Sequence, residues 1–275
     1  MTGVVSVSVW GFADEVGQAV QLAQDIEALD ATIVQVRISH PGKLNAMSRA
    51  MWRDLRTVFE GLQRNTQVRC IVVQGEGTAF CAGGDISEYA AFRYHPDTLA
   101  AFHEGEVWAG LHAMLQCDVP IIAAIQGACM GAGVEIASCC DIRIAADNAQ
   151  FGAPIAKLGF PMAPKEAALV AAQVGAMKAR QMLLEAAVFN AADMQAAGFI
   201  SRLQPAGTLI AHVADTARRV AQLAPQAARL NKQTLRAIAA GDWQAPILAQ
   251  PYGYAASAEH REGIAAFVEK RKPHF

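Results

Sequence analysis

Two hydrophobic periods alternate along the chain, one of two residues and one of three to four. Residues 33–38 alternate apolar and polar side chains, as a strand with one face in solvent does. Ahead of them, Asp14 can cap a helix whose apolar positions Val16, Val20, Ala23, Ile26 and Leu29 fall near helical spacing. A turn through Ser39, His40, Pro41 and Gly42 follows the strand. Ser48 then opens a helix with Met51, Leu55, Val58 or Phe59, and Leu62 on one face. Residues 70–73 and 121–125 are unbroken apolar runs, the pattern of strands covered on both sides, with a long helical stretch over 97–116 between them. Residues 127–133 then read as a loop, 134–139 as a helical segment and 142–145 as a short strand. Strands alternating with helices predict an α/β fold with a largely parallel sheet. Beyond about residue 205 the strand runs stop, and 209–223, 226–240 and 258–270 are helix-forming and rich in alanine. The expected division is an α/β core over 1–205, with an atypical N-terminal extension over 1–30, and a helical C-terminal region over 206–275.

Composition sharpens this picture. Of 275 residues, 53% are hydrophobic and only 17% charged, against roughly 25% charge in ordinary globular proteins, so disorder is excluded. The low charge fits either a large core of apolar strands or a second apolar surface buried between subunits. A net charge of −2 removes the global attraction that a nucleic acid or an anionic membrane would need, and neither is an expected partner. The first ten residues carry no Lys or Arg ahead of an apolar segment, so no secretory signal is read there. The apolar stretch 119–140 is broken by Pro120, Gln126 and Glu135 and reads as core instead of a membrane span. Six cysteines without a C-x-x-C pair, two of them adjacent, suit neither a disulfide framework nor a metal site; reduced thiols in a cytoplasmic protein are expected.

Two segments carry candidate chemistry. In each, a buried strand ends, the chain turns through small residues, and a helix begins: Phe80-Cys81-Ala82-Gly83-Gly84-Asp85-Ile86 and Gly127-Ala128-Cys129-Met130-Gly131-Ala132-Gly133-Val134-Glu135. Such crevices beyond strand ends bind ligands, and free N–H groups there point toward negative charge. One amide from each loop would make an oxyanion hole. Neither loop has the G-x-x-x-x-G-K-[ST] pattern, and Gly131-Ala132-Gly133 lacks the third glycine and the acidic residue of a dinucleotide fingerprint. Glu135 is the one acidic or basic residue between Val119 and Cys140. A carboxylate in that company is protonated, paired or catalytic.

These segments, with Cys140-Asp141-Ile142, Ala149-Gln150-Phe151-Gly152, the early turn His40-Pro41-Gly42-Lys43-Leu44-Asn45-Ala46-Met47 and the tail from Arg261 to Lys272, resemble the enoyl-CoA hydratase/isomerase (crotonase) family. The resemblance runs in order from about Ile33 to Phe275. It implies a spiral core of repeated β-β-α turns and a helical C-terminal trimerisation region, giving homotrimers or dimers of trimers. The implied ligand is an acyl-CoA thioester. No separate cofactor and no metal is implied, because coenzyme A is part of the substrate. By motif position, the backbone N–H groups of Gly84 and Ala132 would hold the thioester oxygen, and Glu135 matches one of the family's two catalytic glutamates. Ala82, Gly84, Asp85, Ile86 and Ser87 would line the CoA arm, with Lys43 and Leu44 near its adenine end. Phe267 and Lys270 would complete a CoA site, in this subunit or a neighbour. Asp141 is expected to position the segment after Glu135.

The sequence departs from the family at the second glutamate, twenty positions after the first, where it has Ile155 flanked by Ala153, Pro154, Ala156 and Lys157. The leading expectation is a 2-enoyl-CoA hydratase. Isomerisation, decarboxylation, retro-aldol cleavage or CoA binding without chemistry are the alternatives on the same scaffold. Lys157, Lys165, Glu166, His95, His103, Glu104, Glu106 and His112 lie near enough in sequence to replace the missing carboxylate, and each is expected to be solvated or structural.

Overall fold

The computed structural model describes residues 2–10, 26 and 29–275. The helix expected around Asp14, Val16, Val20 and Ala23 lies outside these residues. Strand β1 (Val4–Val9), which the apolar pattern did not single out, pairs antiparallel with β2 (Ile33–Ser39). Parallel partners then follow in the order β3 (Cys70–Gly75), β4 (Ile121–Ile125), β6 (Ile142–Ala146) and β9 (Arg202–Gln204). The unbroken apolar runs are accounted for by which way each side chain points. Ile71, Val73, Ile121, Ala123 and Ile125 enter the main core, while Cys70, Val72, Ile122 and Ala124 point the other way, under helix Leu209–Ala221.

Strand β2 differs from its expected half-exposed state. Val34, Val36 and Ile38 face the core as the alternation predicts, yet Gln35 on the opposite face is buried too. The reason is position: β2 lies inside the sheet, and the helix Leu209–Ala221 reaches across that face. Gln35 is stabilised there by accepting hydrogen bonds at Oε1 from Ser8 Oγ (3.4 Å) and Arg37 Nη2 (3.2 Å).

Helix α1 (Arg49–Arg64) forms as its periodicity predicts, with Met51, Leu55, Val58, Phe59 and Leu62 all buried. Ser48 Oγ accepts from Met51 N (3.3 Å), satisfying one of the orphan first-turn donors. Ser48→Ala is expected to lower stability by about 1 kcal/mol, read as a shift in the chemical denaturation midpoint.

The helical stretch expected over 97–116 is not uniform. Helix α2 (Pro96–Phe102) passes into one wide π turn (His103–Val107), where Trp108 N donates to His103 O, and then into α3 (Trp108–Gln116). Residues 127–133, expected as a loop, contain strand β5 (Ala128–Met130). Helix α4 (Ala132–Ser138) starts two residues earlier than the hydrophobic pattern indicates. With β7 (Gln150–Gly152) and β8 (Val188–Asn190), β5 makes a second sheet. Single bridges join Cys81 to Cys129 and Met47 to Gly84, so both glycine-bearing loops are drawn into this second layer.

Helices α5 (Pro164–Val174), α6 (Ala176–Leu184) and α7 (Ala191–Ala196) cover the second sheet's end of the core. The chain continues as α8 (Leu209–Ala221), α9 (Pro225–Ala239), the short α10 (Pro246–Ala249) and α11 (Ala258–Val268). Cations on α9 fasten it to the core. Arg229 donates to the carbonyls of Asn65 and Val68, Lys232 Nζ to Asp141 Oδ2 (2.7 Å), and Arg236 Nη2 to Asp118 Oδ1 (2.9 Å). Burial alone would raise the Asp118 carboxyl, but hydrogen bonds from Gln63, Gln233 and Arg236 hold it below the usual range. All six cysteines are buried and unpaired. Among the described residues no helix is long and apolar enough to cross a membrane, and no group of side chains is arranged to hold a metal ion.

Candidate active site

The two small-residue loops run side by side as a parallel pair. Cys81 N donates to Ala128 O (2.9 Å) and Met130 N to Cys81 O (2.8 Å). Gly84 and Ala132 each lie three residues past the bridged cysteines, so the pairing brings them to equivalent positions on adjacent strands. The Gly84 amide forms no hydrogen bond among the described residues, because its bridge to Met47 uses the neighbouring Gly83 carbonyl and Asp85 amide. The Ala132 amide is equally open, as the first residue of α4. Gly131 supports this start with φ +47°, a backbone conformation that a side chain would strain.

Both amides border a cavity of about 240 Å³ whose walls are mostly apolar: Trp52, Tyr89, Phe102, Val107, Met130, Ile155, Leu158 and Phe160 among them. Glu135 sits in the first turn of α4 with its carboxyl toward this space. The carboxyl receives no hydrogen bond from the described residues. Burial pushes its pKa up to about 8, and the nearby charge of Glu166 adds to the rise. A carboxyl protonated near neutrality can hand a proton to carbon.

Ile155, on the short helical turn Pro154–Leu158, faces the same cavity, so an apolar side chain occupies the wall where the family places a second carboxylate. Two of the residues expected to be solvated or structural, His103 and Glu166, are paired beside the cavity. His103 lines the cavity, and its Nδ1 lies 3.1 Å from Oε1 of Glu166, which is 2% exposed. No local pattern signals this pair, which spans 63 residues of sequence. Of the remaining candidates, Lys165 pairs with Glu104 and Lys157 is exposed, both at the surface, while the Glu106 side chain is largely enclosed and tied to Arg49 and Arg53.

Tyr89 and Arg93 also belong to the wall. The Tyr89 hydroxyl stands where a Cβ on Gly84 would be, and burial raises its pKa to about 12, so it remains a donor. The Arg93 guanidinium lies over the rings of Tyr89 (4.4 Å) and Phe160 (3.8 Å) and forms no hydrogen bond among the described residues.

The residues expected along the CoA arm fall in one cluster. Lys43 Nζ donates to Asp85 Oδ2 (2.6 Å) and Ser87 Oγ (2.8 Å), and Ala82 N donates to Leu44 O (3.0 Å). Burial opposes ionisation of Asp85, but the bonds from Lys43 and Ser87 prevail and lower its pKa. Ile86 and Leu44 project into solvent beside this cluster, open to a ligand. Asn45 takes a left-handed conformation (φ +61°) and is locked by donating from Nδ2 to the carbonyls of Glu76 and Ala79, both 2.8 Å. Phe267 and Lys270 are exposed at the end of α11 and do not line the cavity within this chain. Asp141 Oδ2 accepts from Ile121 N (2.7 Å) as well as from Lys232, so it positions the end of α4 against β4.

Comparison with known proteins agrees with this geometry. The sequence matches the enoyl-CoA hydratase/isomerase family over residues 28–275. A probable enoyl-CoA hydratase of Mycobacterium tuberculosis is 30% identical over 249 residues, covering 90% of this chain and 95% of the relative. The 2,3-dehydroadipyl-CoA hydratase of Escherichia coli is 29% identical over 248 residues, covering 88% and 94%. An enoyl-CoA hydratase/carnithine racemase structure from Magnetospirillum magneticum superposes with a TM-score of 0.83 at 34% identity, over 89% of this chain and 92% of that one. With paired loops, open amides and a partly buried glutamate in one cavity, and a family match over nearly its whole length, the chain belongs to the enoyl-CoA hydratase/isomerase family.

Proposed function

We propose that this chain adds water to 2-enoyl-CoA thioesters through an enolate held by the amides of Gly84 and Ala132. The observation that carries the reading is the convergence of those two open amides and the raised Glu135 carboxyl on one cavity. Attack at the β carbon moves charge onto the thioester oxygen, and each fixed donor aimed there is typically worth about 10²- to 10³-fold in rate. The cavity is smaller than the roughly 300 Å³ at the low end of drug-sized ligand pockets, so it suits a short acyl group, with the rest of CoA lying over the Lys43–Asp85–Ser87 cluster. The Arg93 guanidinium, stacked on two rings but without a hydrogen-bond acceptor among the described residues, favours acyl chains that end in a carboxylate.

Incubation with crotonyl-CoA, a longer enoyl-CoA and an enoyl-CoA bearing a terminal carboxylate, followed by loss of the conjugated thioester absorbance and by mass spectrometry, tests the reading. The expected product is heavier by one water. One observation favours a second reading: with Ile155 in the wall, a reaction that needs a single acid, decarboxylation or retro-aldol cleavage, fits the site as well. A product lighter than the substrate would select it, and unchanged mass with a moved double bond would select isomerisation. Binding with no product at all would leave a CoA-binding protein.

Assembly as a trimer, or a dimer of trimers, accompanies this proposal. Leu235, Trp243, Phe267 and Val268 are exposed on the C-terminal segments, a surface that sister subunits would cover. Sedimentation equilibrium reports the stoichiometry.

A further inference from the structure

We propose that His103, oriented by Glu166, is the second proton-transfer group of the active site and stands in for the carboxylate absent at Ile155. The inference rests on the hydration reading and deepens it. Three side chains face one cavity: Glu135 from α4, Ile155 from the Pro154–Leu158 turn, and His103 from the junction of α2 and α3. Ile155 can move no proton, whereas the imidazole can act in either direction.

The His103–Glu166 contact is built from burial as well as distance. Glu166 is fully enclosed on α5, and its carboxylate has His103 as its hydrogen-bond partner among the described residues. A buried carboxylate held only for packing would be costly, since a neutral side chain of the same size would avoid its desolvation. Paired to Nδ1, it fixes the tautomer with hydrogen on Nδ1 and leaves the lone pair on Nε2. That second nitrogen forms no hydrogen bond with the described residues, and His103 is one of the residues that line the cavity. Backbone geometry points the same way: His103 opens the π turn, a widening of the helix that recurs at functional sites.

The step balances as follows. A water O–H bond breaks, its proton passing to His103 Nε2 as the oxygen bonds to the β carbon. The carbon-carbon π electrons move to the thioester oxygen under the amides of Gly84 and Ala132. The carbonyl then reforms as the α carbon takes a proton from the Glu135 carboxyl. One proton enters and one leaves the protein, so exchange with solvent restores both groups. In this scheme His103 is the catalytic base and Glu166 a positioning residue.

The test compares wild type, His103→Gln, His103→Ala, Glu166→Gln and Glu135→Gln for crotonyl-CoA hydration, and measures butyryl-CoA affinity by calorimetry. His103→Gln is expected to lose about 10²- to 10⁴-fold in kcat with butyryl-CoA affinity kept. Added imidazole should return at least about tenfold of the rate to His103→Ala and none to Glu135→Gln. Glu166→Gln should lower kcat with KM unchanged, the mark of a group acting only in the transition state. Turnover by His103→Gln near the wild-type rate, or a defect that imidazole does not relieve, overturns the inference and leaves the hydration reading standing. A wild-type protein that hydrates none of the enoyl-CoAs removes that reading, and this role for His103 with it.

Discussion

Replacing Glu135 by glutamine is expected to reduce crotonyl-CoA hydration by about 10²- to 10⁴-fold while making the folded protein more stable at alkaline pH. The two effects share one cause. Burial and the charge of Glu166 disfavour the ionised carboxyl, lifting its pKa from 4.5 to about 8. Below pH 4.5 both folded and unfolded states are protonated and the group is neutral in the balance. Between that value and about 8, the unfolded chain releases a proton that the folded chain retains, so stability falls with rising pH by about 1.4 kcal/mol per unit. Above about 8 the folded state ionises as well, and the slope vanishes. The accumulated loss is about 5 kcal/mol, which the glutamine variant escapes. Urea denaturation of both proteins at about pH 5 and about pH 8 measures it. Parallel curves for wild type and variant at both pH values would assign the titration to another group. Wild-type activity that needs the protonated carboxyl should likewise fall as pH rises through about 8. The ionisable groups that share this surrounding are Glu166, His103, Arg93, Tyr89 and the thiols of Cys81 and Cys139.

Gly133→Ala is expected to be nearly as damaging, although Gly133 touches no substrate. A Cβ there would stand 2.5 Å from the Cys81 carbonyl oxygen and 3.2 Å from Cys81 Cβ. That carbonyl is already engaged by Met130 N and cannot swing aside without breaking the pairing of the two loops. Alanine would favour the helix by up to about 1 kcal/mol, but overpacking of this kind costs about 1–3 kcal/mol, so net destabilisation is expected. The larger effect is on rate. Once α4 moves off the Cys81 strand, the amides of Gly84 and Ala132 no longer converge on one oxygen, and about 10²- to 10³-fold in kcat should be lost. Gly207→Ala serves as the control, since a Cβ there meets nothing within 4 Å. A Gly133→Ala protein with wild-type kcat would mean that the loops can separate without consequence.

The paired loops and Glu135 were legible in the chain, because each is written in consecutive residues at a strand end, whereas the carboxylate missing at Ile155 was legible only through the resemblance to the family. The covered face of β2 was not legible. Gln35 and Arg37 look like solvent-facing positions, and only the later arrival of α8 over that face buries Gln35. The same limit hid the His103–Glu166 pair. Two lone polar residues on separate elements carry no spacing signal, and the contact exists because α2 ends and α5 begins beside the cavity. The period of 97–116 was read correctly as helical, but a five-residue turn inside it leaves no mark in hydrophobicity. Phe267 and Lys270 remain a matter for the assembly, since within one chain α11 keeps them on the outside.

That wide turn has an evolutionary consequence. A π turn amounts to one residue inserted into an α-helix, and each residue advances the helical face by about 100°. Because the i→i+5 bond of a π turn absorbs the extra residue locally, removing a single codon between His103 and Val107 would close the turn and re-aim the side chains within it while leaving α2 and α3 near their present faces. The packing of α3 on α1 could persist while the imidazole left the cavity. In this scaffold a change of chemistry can therefore travel by a one-residue insertion or deletion as readily as by substitution, and alignments that score only matched columns would pass over it.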